Sequence, residues 1–254
     1  MQRASVLLEV CVDDAAGLAA AVAGGADRIE LCADLSVGGL TPSAGFMAQA
    51  AACGRPVYAL IRPRAGDYRF SPAEAAVMFG DIETAKKAVL AGVVIGATRA
   101  DDTLDMDLLG KLVAAASPLG VTLNRVVDLV PDPFAALDQA VALGVERVLT
   151  SGQRASVFEA CDLIHDLVAH AAGRVSVMAG AGVTPANAAE IVRRTGVREI
   201  HGSFSVRVEV PEGRLTQFGF APPGTRRRTD EASVRAARLA LAGASNVSIP
   251  ELQS

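Results

Sequence analysis

The sequence predicts an α/β fold, a single (β/α)8 barrel of the TIM type, and three observations carry that prediction. Eight short apolar runs suited to strands alternate with helix-length amphipathic stretches along the whole chain. At three joins, Gly25-Ala-Asp-Arg-Ile-Glu, Gly144-Val-Glu-Arg-Val-Leu and Gly196-Val-Arg-Glu-Ile-His, a helix-ending glycine stands just before a buried strand. The length of 254 residues, with 51% hydrophobic and 20% charged content, suits a closed barrel with one core. Parallel strands with right-handed crossovers follow from the alternation.

The strands are read at 6–11, 27–32, 57–62, 93–97, 121–125, 146–150, 175–180 and 198–203. The first, Leu7-Leu8-Glu9-Val10-Cys11, and the second, Ile29-Glu30-Leu31-Cys32, place a Glu and a Cys at the same point. Glu9 and Glu30 are 21 residues apart, the length of one βα unit. Strand alternation puts Glu9 on a face with Cys11, and Glu30 with Cys32. If that face is inward, two carboxylates and two thiols converge, and a buried carboxylate is costly unless paired or used. The second strand leads into a loop containing Gly38-Gly39, where Thr41 or Ser43 can cap the next helix. The third ends Ile61-Arg62-Pro63-Arg64-Ala65-Gly66-Asp67. Its two arginines share a parity and suit a carboxylate or phosphate; their structural alternative is to neutralise Glu9 and Glu30.

The fifth strand runs out through Leu123-Asn124-Arg125-Val126-Val127-Asp128, and the sixth through Thr150-Ser151-Gly152-Gln153, both offering hydrogen-bonding side chains at the functional end of a barrel. The seventh ends Met178-Ala179-Gly180-Ala181-Gly182 and the eighth His201-Gly202-Ser203. Loops after strands seven and eight form the usual barrel phosphate site, so Gly180, Gly182, Gly202 and Ser203 are the candidate cofactor or anion binders. A tight strand-to-helix turn also requires glycine. In the glycine-led register His201 stands where Glu30 stands, able to act as acid, base or metal ligand, or as a hydrogen-bonded structural residue. His165 and His170 fall on the helix after strand six. Pro42, Pro72, Pro133 and Pro185 lie near helix starts. The domain is expected to span 1–254, with an irregular loop at 206–229, serving as a lid or a disordered excursion, then a C-terminal helix and tail at 230–254. The Arg226-Arg227-Arg228 run is read as solvated loop, with a phosphate or partner contact as the alternative.

A net charge of −4 gives no electrostatic case for nucleic acid. No apolar stretch reaches membrane-spanning length, and Glu9 interrupts the N-terminal run before it can serve as a signal, so the protein is expected in the cytoplasm. Four cysteines in such a chain make no disulfide framework, and a cytoplasm keeps them reduced. Cys53, also 21 residues beyond Cys32, precedes Gly54-Arg55-Pro56 at a helix end and breaks the strand-end pattern. Lys86, Lys87 and Lys111 all fall in helical segments, which argues against Schiff-base chemistry.

Taken together, Glu9-Val-Cys11, Gly25-Ala-Asp-Arg-Ile-Glu-Leu-Cys32, Gly38-Gly-Leu-Thr-Pro-Ser43, Ile61-Arg-Pro-Arg-Ala-Gly-Asp67, Arg147-Val-Leu-Thr-Ser-Gly152 and Ala179-Gly-Ala-Gly182 resemble the CutC family, over about residues 8–203. The resemblance implies a TIM-type barrel, a homo-oligomer, a link to copper homeostasis, and cytoplasmic copper binding. Asn124 departs from it, standing where the family usually carries the histidine of a Phe-His-Arg-Ala-Phe-Asp run. Beyond Ser205 the match is poor.

Two functional readings remain open. Copper binding uses Cys11 and Cys32, because soft thiolates favour Cu(I) and neighbouring strands can bring both sulfurs to one ion; nearby Glu9 and Glu30 oppose thiolate formation. Catalysis uses Glu9 or Glu30, with His201, to move a proton while Arg62, Arg64 or Arg125, the last beside Asp128, holds an anionic group. That suits a lyase, isomerase or epimerase acting on a small phosphorylated or carboxylated substrate. A non-catalytic scaffold leaves the polar cluster without a use.

Overall fold

The computed structural model describes residues 5–220 and 224–244. In chain order it runs β1 (Leu7–Val12), α1 (Ala15–Gly24), β2 (Arg28–Leu31), α2 (Ala44–Ala51), β3 (Val57–Leu60), α3 (Pro72–Lys87), β4 (Gly92–Ile95), α4 (Met106–Ala116), β5 (Gly120–Leu123), α5 (Pro133–Leu143), β6 (Arg147–Thr150), α6 (Cys161–Ala171), β7 (Ser176–Ala179), α7 (Ala188–Thr195) and β8 (Glu199–Gly202). A hairpin of β9 (Ser205–Val210), α8 (Arg214–Gln217) and β10 (Gly224–Thr229) follows, and α9 (Glu231–Ala244) completes the chain. Strands β1 to β8 pair in parallel and in sequence, and β8 returns to β1, closing the (β/α)8 barrel.

Local chemistry places these boundaries where the sequence signals them. Gly25, Gly144 and Gly196 end α1, α5 and α7 in the left-handed region that a side chain would resist. Pro72 and Pro133 open α3 and α5, where the missing N–H has no partner to lose. Ser43, not Thr41, caps α2 by accepting from the Phe46 N–H; the Thr41 hydroxyl accepts instead from the backbone N–H of Arg62.

Outward residues of the strands, such as Leu8, Val10, Ile29 and Val93, merge with the inner faces of the helices into the main core. Inward residues are of another character: Cys32, Tyr58, Leu60 and Val94 form a small separate cluster inside the barrel. The buried charged groups Glu9, Arg28, Glu30, Arg147 and His201 lie on inward-facing strand positions. The eighth helix of the ring is α9, packed between α7 and α1.

The region expected as an irregular loop at 206–229 is instead largely an antiparallel two-stranded sheet, β9 against β10, with the register Arg227 opposite Arg207 and Arg228 opposite Val206. Alternating Val206, Val208 and Val210 supply the β-branched residues that such pairing favours. Arg226, Arg227 and Arg228 therefore sit on a strand, though an exposed one. Pro222, Pro223 and the tail from residue 245 lie outside the described residues. Among the described residues, no helix is long and apolar enough to cross a membrane.

Candidate functional site

Barrel closure sets Glu9 between two partners that are remote in sequence. In β1 the Glu9 Cα is level with Arg28 of β2 on one side and His201 of β8 on the other. Its carboxylate accepts from Arg28 Nε and, at 2.8 Å, contacts His201 Nδ1. The opposite ring nitrogen of His201 lies 3.6 Å from Glu30. One inward step along β1, Cys11 is level with Glu30. The Cys11 sulfur, a Glu30 oxygen and a His201 nitrogen all lie within 4.8 Å of one another, and all three residues are buried.

Beneath this cluster a chain of charges fills the N-terminal half of the barrel. Arg28 bridges Glu9 to Glu199, and Glu199 also accepts from Arg147 Nε at 3.1 Å and from the Ser176 hydroxyl at 2.6 Å. Arg147 continues to Glu146 at 3.0 Å, while Glu146 accepts from the Tyr58 hydroxyl at 2.6 Å. Both guanidiniums lie against the Tyr58 ring, 5.5 Å and 4.8 Å from its centroid. This arrangement offsets the cost of burying charge, because each group meets an opposite partner in a medium of low polarity.

Proton affinities follow from the same geometry. Burial alone would raise the Glu9 carboxyl, but the His201 hydrogen bond and the Arg28 charge outweigh it and hold the group down at about 2. Burial, aided by the Glu9 charge, pushes Glu30 up to about 6, because His201, the Cys32 hydrogen bond and the more distant Arg28 compensate only in part. His201 is disfavoured as a cation by burial, yet Cys11, Glu9 and Glu30 around it raise it well above the ordinary imidazole value. Burial raises the Cys11 thiol, and burial together with Glu30 raises Cys32 further. Burial thus opposes charge on both thiols, while the carboxyl groups on either side of His201 favour a proton on its ring.

The remaining candidates lie around this centre. Cys32 packs against Tyr58, Leu60 and Val94, outside the three-donor group. Arg62 is buried just past β3, and its Nη1 and Nη2 donate to the carbonyls of Val37, Gly39 and Gly66. It therefore does not neutralise Glu9 or Glu30; Arg28 does that for Glu9. Arg64, more than a third exposed, pairs with Asp67 in the loop before α3 and with Glu74 in its first turn. Arg125 and Asp128 pair with each other at 2.9 Å. Asp128 also accepts from the Ser151 and Gln153 amides, fastening the turn after β5 to the loop after β6. The Asn124 side chain is buried and accepts from the Val126 N–H, capping that turn.

In the expected anion loop the Gly180 backbone is already engaged. The Gly180 N–H donates to Thr150 O at 3.0 Å, continuing the sheet, so it does not face a ligand. Gly180 is required by close approach: a Cβ there would stand 2.7 Å from Leu149 and 3.3 Å from the Cβ of His201. Gly182 accepts from the Asn187 amide, Gly202 lies within β8, and the Ser203 and Ser205 hydroxyls bond each other at 2.9 Å. Sequence reasoning missed Arg28, Arg147 and Glu199. Parity was the available signal, because Arg28 lies two residues before Glu30 and Glu199 two before His201, on the same inward face.

Comparison with known proteins agrees with this architecture. The sequence profile of the CutC family matches residues 6–206. The family protein CutC of Caulobacter vibrioides is 52% identical over 243 residues, 95% of this chain and 99% of that protein. Its counterpart in Sinorhizobium medicae is 51% identical over 236 residues, 93% and 96% of the two chains. Among solved structures, a CutC of Streptococcus agalactiae, provisionally named for copper homeostasis, superimposes with a TM-score of 0.75 at 32% identity, covering 78% of this chain and 98% of that one. A barrel whose polar interior is built on the matched strands, and relatives of this identity over nearly full length, establish that this chain belongs to the CutC family.

Proposed function

We propose that the protein binds Cu(I) inside the C-terminal half of the barrel, in keeping with the copper homeostasis for which its structural relative is named. One observation carries the reading: Cys11, His201 and Glu30 offer a sulfur, a nitrogen and an oxygen within 4.8 Å of one another. Thiolate and imidazole suit a soft ion, and Cu(I) accepts as few as two such ligands. Cys11 and His201 are the donors that would hold it, Glu30 stands beside them, and Glu9 orients the ring through Nδ1, as carboxylates do behind metal-bound histidines. Cys32 supplies a second thiol at the edge of the group. The cytoplasm, a reducing compartment, would keep these thiols available.

The test is competition with a Cu(I)-selective chelator under reducing conditions. Loss of a supporting residue alone costs 10–100-fold in metal affinity, so Cys11→Ser and His201→Gln should each weaken binding by more than about 100-fold. Cys32→Ser should weaken it less. Equal affinity in wild type and the Cys11→Ser/His201→Gln double variant would end the reading.

A second reading rests on another property of the same cluster: the Glu30 carboxyl lies 3.6 Å from His201 Nε2, and burial pushes it up to about 6. A group poised near neutral pH suits proton transfer, as in a lyase, isomerase or epimerase acting on a small carboxylated or phosphorylated substrate. Incubating candidate carbon acids in D2O with the protein should show exchange that Glu30→Gln abolishes. Exchange that persists in Glu30→Gln, or none in a broad panel, would remove it.

A further inference from the structure

Arg62 is the one buried cation among the described residues with no carboxylate at ion-pairing distance. Arg28 and Arg147 each have two acidic partners, and His201 has two. Arg62 is only 4% exposed and meets three neutral carbonyls: Val37 and Gly39 at 3.0 Å from Nη1, and Gly66 at 2.7 Å from Nη2. The Tyr68 ring lies 4.7 Å from its central carbon. Its Nε is buried and has no hydrogen-bond partner among the described residues. Carbonyls satisfy protons, but they leave the net charge of the guanidinium uncompensated, and a buried charge without a counter-charge is costly.

We propose that Arg62 is the receptor for the carboxylate or phosphate of a small molecule, bound by the Nε–H of its guanidinium where the loops after β2 and β3 meet. Two loops and an aromatic ring already fix the plane of the fork, so little freedom remains to be lost on binding. With Nη1 and Nη2 donating to carbonyls, the Nε–H is the donor left to make a charge-assisted hydrogen bond to an oxygen of a carboxylate or phosphate. Because Nε is closed off from solvent, entry requires the loops that Arg62 ties together to part. The proposal deepens the second reading above by assigning the anionic group of its substrate to Arg62, yet its test needs neither copper nor proton transfer, so the two can fail separately.

Arginine Nε–H groups resolve in ¹H–¹⁵N spectra, and a buried one exchanges slowly with water. The Arg62 signal is identified by its loss in Arg62→Lys, or, should that variant not fold, by its through-space contact with the Tyr68 ring. Titration of the wild-type protein with inorganic phosphate and, separately, with malonate should move this signal saturably while the exposed arginines move little. A response to phosphate alone or to malonate alone supports the proposal and identifies the anion class. In the folded Arg62→Lys protein, affinity for the same probe should fall by at least about tenfold, the loss of one charge-assisted hydrogen bond. A signal unmoved by either anion, or one that drifts without saturation along with every other arginine, would show that Arg62 only fastens the loops.

Discussion

Replacing Arg28 by Met tests whether the interior charges of the barrel are a connected system. Met keeps an unbranched, apolar side chain in the space and removes only the guanidinium. Glu9 is 1% exposed and Glu199 only modestly more, so both carboxylates lose their shared cation in a nearly dry setting. Breaking a buried ion pair from one side costs about 3–5 kcal/mol. Each carboxylate keeps one further partner, His201 for Glu9 and Arg147 for Glu199, which places the expected loss near the low end, about 3 kcal/mol. In urea unfolding at pH 7, a chain of this size should show a midpoint lowered by about 1 M. Glu9→Gln should cost much less in the Arg28→Met background than in the wild type, giving a coupling of about 1–3 kcal/mol in the double-mutant cycle. A loss below about 1 kcal/mol for Arg28→Met, or a coupling within the additivity error of about 0.5 kcal/mol, would refute the connected network.

Glu30 and Glu9 should shape the acid stability profile in opposite directions. Glu30, raised from 4.5 to about 6, makes stability fall as pH rises across that interval, by roughly 2 kcal/mol at about 1.4 kcal/mol per pH unit, and Glu30→Gln should flatten this limb in pH-dependent urea melts. Glu9, lowered to about 2, contributes stability that is present above 4.5 and lost as pH falls toward 2, a limb that Glu30→Gln should leave in place and Glu9→Gln should remove. Gly180→Ala forces a methyl group against Leu149 and His201, and should cost about 1–3 kcal/mol in thermal or urea unfolding. Asp128→Ala releases the Ser151 and Gln153 amides together with Arg125; those amides should lose protection in hydrogen exchange while the β1 and β2 amides keep theirs.

Much of the architecture was legible because its causes are local. Helix-ending glycines at 25, 144 and 196, N-terminal prolines at 72 and 133, and short β-branched runs each act within a few residues, and the structure places the elements accordingly. Departures arise where a competing local preference was missed. The third strand stops at Leu60, short of the expected 62, as the chain turns through Pro63. Alternating valines at 206, 208 and 210 make a strand inside what reads as loop.

By itself the sequence determined that Glu9 shares a strand face with Cys11, and Glu30 with Cys32, because the two-residue period of a strand is a property of the backbone; that these faces and His201 turn inward is seen only in the closed barrel. The sequence also carried the CutC resemblance, which the matching over residues 6–206 bears out. Only the tertiary structure decided who meets whom inside. Closure of β8 against β1 brings His201 beside Glu9 across 192 residues, sets it with Cys11 and Glu30, and delivers Arg28 to Glu9 and Glu199 while Arg62 is drawn to the loop carbonyls. The reason is physical: facing is set by local covalent geometry, whereas the pairing of buried charges depends on distances that exist only once the barrel closes and excludes water.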